Sequence, residues 1–206
     1  MNTTLKNQYA ALHVFWDEAL GAEVWRSAIA FGILMLAGFA VGQFNPTFTA
    51  KVFSMIESYF GQLNLEGSSG VSALMLFSNN VHACFLSVLY GAIPFLYLSA
   101  LSLGMNSMLL GIMAVYIHSR GYSYLYYAAG ILPHGILEIP ALIVAFALGL
   151  YLCGQASRHF RHQATVPFQT ALLNICRAFL LIILPLLAAA AVIEIYITPV
   201  IAGFFA

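Results

Sequence analysis

The chemistry of this chain is concentrated between Ile131 and Pro140, which read Ile-Leu-Pro-His-Gly-Ile-Leu-Glu-Ile-Pro inside a long apolar run. His134 and Glu138 are four residues apart, so on a helix they share one face. An imidazole beside a carboxylate can pass a proton, hold a cation or ligate a metal. In a membrane each ionisable group is costly unless it is paired or turned into the protein. Pro133 and Pro140 each remove a helix hydrogen bond that neighbours must replace. The expectation is a helix tilted or interrupted near one of these prolines, with His134 and Glu138 side by side.

Other polar residues lie where apolar ones are the rule. Asn79, Asn80 and His82 sit at the head of a second apolar run, Asn106 at the head of a third, and Glu194 near the end of the last. His134 and Glu138 are expected to face Asn79 and His82. Ala141, Ala145 and Gly149 continue the His134–Glu138 stripe at helical spacing, so this small, polar face should point inward while Leu137, Leu142, Val144 and Leu148 lie elsewhere around the helix. Three readings stay open. The cluster is structural glue between helices, a pathway for an ion, a proton or a small solute, or a zinc site using His82, His134 and Glu138 with one position left open. The sequence contains no His-Glu-x-x-His, no Gly-x-Ser-x-Gly and no Gly-rich phosphate loop. No enzyme is therefore expected, and no cofactor beyond that zinc set. His159 and His162 flank Arg158 and Arg161 in a polar stretch where water or anionic lipid is the expected company.

The elements that position these residues follow from composition. The chain is 62% hydrophobic and 7% charged, whereas a soluble domain is about 25% charged, and its mean hydropathy is +0.92. That defines an all-α, polytopic membrane bundle. The net charge of zero leaves no basic surface for nucleic acid. Cys84, Cys153 and Cys176 are scattered in apolar surroundings and match no disulfide or zinc framework. Asp17, Glu18 and Glu23 interrupt the first 26 residues, so no cleavable signal is expected and the first span should act as an uncleaved anchor.

Two units are expected: a cytoplasmic amphipathic or interfacial helix over 1–26, and one five-span domain over 27–206. In the first, Leu5, Tyr9, Leu12, Trp16, Leu20 and Val24 form one helical face, suited either to the lipid interface or to packing on the protein itself. The first span covers Ser27 to Phe44, stops at Asn45-Pro46, and carries Gly38 and Gly42 as a close-contact pair. A second interfacial helix follows, with Phe48, Val52, Ile56, Tyr59 and Leu63 in phase, then a flexible Gly67-Ser68-Ser69-Gly70 turn. Helices at 74–98 and 103–118 form a hairpin broken near Ser99 to Gly104. Gly104, Ser107, Gly111 and Ala114 give the second of these a stripe on which a neighbour can pack. A long span to Cys153 and a last one from Leu172 to Ile197, stopped at Thr198-Pro199, complete the set. With the N-terminus cytoplasmic, Lys6, Arg26, Arg158, Arg161 and Arg177 fall inside and only Lys51 and Arg120 outside, which favours N-terminus in and C-terminus out.

The block from Leu132 to Ala141 resembles the signature of the stage II sporulation protein M family. Phe77-Ser78-Asn79-Asn80 is similar to that family's Asn-Asn element at the start of a span. Gly104-Met105-Asn106 through Gly111 is similar to its Asn-Gly-x-x-x-Gly element, with Ser107 where glycine is usual. Glu194 through Pro199, Glu-Ile-Tyr-Ile-Thr-Pro, looks like its C-terminal Glu-x-Phe-Ile-Thr-Pro element. The resemblance implies a five-span inner-membrane protein. It also implies a scaffold or organiser, because the sporulation member works with cell-wall hydrolases during engulfment and anchors or organises them. The expected partners are the lipid bilayer, other membrane or cell-envelope proteins, and further copies of the chain. A small channel or transporter is the competing expectation, and an intramembrane metal-dependent enzyme the minor one.

Overall fold

Lipid offers backbone N–H and C=O groups no hydrogen-bond partner, so an apolar chain of this kind satisfies them internally as helix. The computed structural model describes residues 3–62 and 72–205, and every regular element among them is helical. Among the described residues, five helical stretches are long and apolar enough to cross a membrane.

α1 (Thr3–Phe15) passes through a π turn (Trp16–Leu20) directly into α2 (Gly21–Phe44). The Gly21 amide donates to the Trp16 carbonyl five residues back. A Cβ on Gly21 would stand 3.0 Å from that same oxygen, which explains the glycine. One extra residue in a helical turn rotates everything on its N-terminal side. The buried side chains are consequently Leu12, Phe15 and Leu20, while Leu5, Tyr9 and Trp16 stay exposed. The expected stripe assumed an unbroken period and is corrected here. This segment packs on the protein's own helices: Phe15 meets Tyr151 edge-on with ring centroids 5.0 Å apart, and Arg177 Nε donates to Gln8 Oε1 at 2.6 Å.

α2 ends at Phe44, and α3 (Pro46–Gln62) begins with proline at its first position. The Asn45 side chain caps it by accepting from the Phe48 amide at 3.1 Å. Thr49 and Phe53 form its buried face, and Phe53 stacks on Tyr116 at 4.1 Å. The expected side-chain pattern beyond Met55 and the glycine–serine turn lie outside the residues described in that detail.

α4 (Ala73–Leu89) closes in a short 3₁₀ turn (Tyr90–Ala92), and α5 (Leu98–Ser119) follows. The break thus falls at 93–97, before Ser99 to Gly104 where it was expected. Pro94 is the reason: it pushes Ile93 into the extended region, φ −89° and ψ 107°. Ser99 is instead a buried helical residue whose hydroxyl donates to the Ser87 carbonyl at 2.7 Å.

α6 (Tyr124–Phe160) is 37 residues long and contains both Pro133 and Pro140. It is continuous, so the expected interruption is absent. Prolines are tolerated within membrane helices when neighbouring elements supply the missing partners, and α6 is the central helix, packed against α2, α4, α5, α7 and α8. Ala141, Ala145 and Gly149 are buried as expected, but Val144 and Leu148 are buried too, because partners surround the helix at this level.

The last span combines α7 (Phe168–Ala178), a π turn (Phe179–Ile183) and α8 (Leu184–Tyr196). Pro185 lacks an amide hydrogen and crowds the carbonyl four residues before it. The π turn relieves this by letting the Leu184 amide reach the Phe179 carbonyl. Past the expected stop, α9 (Thr198–Gly203) folds back against α6.

Glycine brings backbones together at two levels. A Cβ on Gly38 would overlap the Met108 backbone, and one on Gly111 the Met35 carbonyl, so α2 and α5 touch main chain to main chain. A Cβ on Gly149 would overlap Ser99 and the Ser87 carbonyl, and one on Gly91 the Gly149 carbonyl.

Candidate functional site: an intramembrane histidine–glutamate cluster

α6 carries His134 and Glu138 one turn apart on the face turned toward α8 and α9. Their side chains are 13% and 21% exposed. His134 Nε2 and Glu138 Oε2 are 3.9 Å apart. α8 adds Glu194, and one ligand-capable atom from each of the three residues lies within 4.8 Å of the others. The start of α9 adds Thr198, a buried residue.

Thr198 fixes how the imidazole presents itself. Its hydroxyl donates to the Ile193 carbonyl at 3.3 Å and lies 3.2 Å from His134 Nδ1. A hydroxyl has one proton to give. With that proton on Ile193, the Thr198 oxygen accepts from a protonated Nδ1. The neutral ring then carries its lone pair on Nε2, aimed at the Glu138 carboxyl group. A proton on one of the pair, or a cation between them, would join these two acceptors.

A cavity of about 210 Å³ opens beside the cluster between α5 and α6. Asn106, His134 and Glu138 supply its polar lining, and Leu109, Ile131 and Leu142 are among its apolar walls. The Asn106 amide donates to the Ser102 carbonyl at 2.8 Å.

The fold therefore brings together His134, Glu138 and Glu194, with Asn106 across the cavity. It does not bring Asn79, Asn80 and His82 into that group. Asn79 and His82 are exposed on α4 and Asn80 is half-buried. Among the described residues no hydrogen bond or ion pair joins any of the three to His134 or Glu138. In the assembled cluster Glu194 occupies the place the sequence reading gave to His82. Thr198 was missed. Its signal was a threonine directly before Pro199 at the end of a span, a pattern that starts a new helix as readily as it stops an old one.

Five span-length apolar helices, with a polar cluster held between α6, α8 and α9, define a multi-pass integral membrane protein. The chain matches the family described as stage II sporulation protein M over residues 27–199, and it belongs to that family. No curated protein and no solved structure matches it. The matched region takes in all the spans from Ser27 onward and the whole His134–Glu138–Glu194–Thr198 cluster.

Proposed function

We propose that this protein is a membrane scaffold that holds partner proteins of the cell envelope, as the sporulation member of its family holds cell-wall hydrolases. The observation that carries this reading is the way the spans interlock. Gly38 and Gly111 join α2 to α5 through their main chains, and Gly91 and Gly149 join the α4–α5 turn to α6. Alternating-access carriers move one helix group against another around a central site, and interdigitated main chains oppose such sliding. A rigid platform suits an organiser. The positive-charge distribution favours an N-terminus in the cytoplasm and a C-terminus outside, and copies of the chain are its first expected neighbours.

The test pairs crosslinking in native membranes with a transport assay. The full chain should recover the same envelope partner reproducibly, that partner should lose its position when the gene is deleted, and proteoliposomes should show no proton or cation flux. Flux abolished by Glu138→Gln, in a variant that folds normally, would overturn the scaffold. A transport reading has one observation in its favour, the cavity shared by Asn106, His134 and Glu138, and that same variant decides between the two.

A further inference from the structure

We infer that His134, Glu138 and Glu194 bind one divalent transition-metal ion of the zinc class within the membrane, with Thr198 orienting the imidazole. This goes beyond the scaffold reading and stands or fails separately from it.

Geometry comes first. One donor atom from each residue lies within 4.8 Å of the others, and His134 Nε2 stands 3.9 Å from Glu138 Oε2. Zn–N and Zn–O bonds of about 2.0–2.2 Å place tetrahedral ligands roughly 3.3–3.6 Å apart. Small rotations of the two glutamate side chains close that gap, and α6 and α8 need not move. The donors come from two spans, so the ion would pin α8 to α6.

The second support is the tautomer. Metal-bound histidines donate their other ring N–H to an orienting acceptor. Thr198 is placed for that part: its hydroxyl reaches the Ile193 carbonyl at 3.3 Å, and with its proton given there its oxygen accepts from His134 Nδ1 at 3.2 Å. In that tautomer the Nε2 lone pair is free, 3.9 Å from Glu138 Oε2.

Charge is the third. Two carboxylates set together in a bilayer carry an uncompensated charge unless protonated or neutralised. Among the described residues, no lysine or arginine forms an ion pair with Glu138 or Glu194. A dication balances both. The donor set selects the ion: Ca²⁺ and Mg²⁺ take six or more oxygens, whereas imidazole with carboxylates suits zinc and its neighbours. Three protein ligands leave a fourth position, and the cavity lined by Asn106 lies beside the site to receive a water or a small ligand.

The experiment uses the full chain purified in detergent, stripped with a chelator and titrated with Zn²⁺ or Co²⁺ chloride, with Mg²⁺ and Ca²⁺ as competitors. One Zn²⁺ per chain should bind, and Co²⁺ should give the intense visible absorption of a four-coordinate site. Glu194→Gln and His134→Ala should abolish both, while His82→Ala should change neither. Thr198→Val should weaken affinity by about 10–100-fold, as loss of an orienting partner does. The wild-type cobalt spectrum requires no variant to fold. If stripped wild-type protein takes up no Zn²⁺ and gives no cobalt band, the pair shares a proton instead and the inference is wrong. Stoichiometric zinc that persists in folded Glu194→Gln and His134→Ala protein would overturn it equally.

Discussion

The Phe95 amide donates to the Ser157 hydroxyl at 2.9 Å, across sixty-two positions of sequence. This bond ties the α4–α5 turn to the end of α6. Phe95 has φ +69°, a left-handed conformation that is rare for a bulky residue. Its ring is held edge-on to Phe160 at 5.7 Å and beneath the Arg161 guanidinium at 5.0 Å. Ser157→Ala should remove about 1 kcal/mol and lower the unfolding midpoint in detergent by a few degrees. An unchanged midpoint would mean the turn is held by its ring contacts alone.

The same bond carries a statement about topology. Phe95 and the end of α6 must lie on one side of the membrane, together with the N-terminus if five spans alternate. Reporter fusions at residue 1 and near residue 163 should both read cytoplasmic, and a fusion at residue 121 external. Opposite readings at 1 and 163 would remove one span from the count.

Glycines at 104 and 111 should respond very differently to the same change. At Gly111 a Cβ meets the Met35 carbonyl and the Phe39 amide, whereas at Gly104 it finds only the Leu34 Cδ1 at 3.9 Å. Gly111→Leu should cost at least ~1–3 kcal/mol through overpacking, with poor yield or an early melt. Gly104→Leu should be recovered at close to wild-type levels. Comparable behaviour of the two would place the α2–α5 contact elsewhere on these helices.

The π turn at Trp16–Leu20 sets the phase of α1. Deleting Glu18 restores an α-helical count and turns α1 by roughly 100° relative to α2. Leu12 and Phe15 should leave the core and Gln8 should lose Arg177. Proteolysis near residues 5–15 should then speed up while 21–44 stays protected. Unaltered protection of both segments would show that the bulge re-forms at another residue.

Much of this protein follows from one-dimensional information. The length of its apolar runs, with no water to satisfy backbone groups, forces helices, and their number follows from the polar interruptions at Asn45-Pro46 and His118 to Gly121. His134 and Glu138 stand out because ionisable groups in lipid are expensive, and their four-residue spacing fixes their common face without any knowledge of neighbours. The family's motif is likewise local in sequence. Tertiary structure decided which distant groups complete the cluster. Glu194 and Thr198 reach His134 from sixty residues away, through the packing of α8 on α6 and the return of α9, which no periodicity encodes. Asn79 and His82, equally polar and at the head of an apolar run, are exposed outside the cluster, because the rotation of α4 is set by its packing on α6 and α8. The two π turns divide the same way. Gly21 and Pro185 mark locally where a turn can widen, but which side chains the shifted faces bury depends on the helices packed against them.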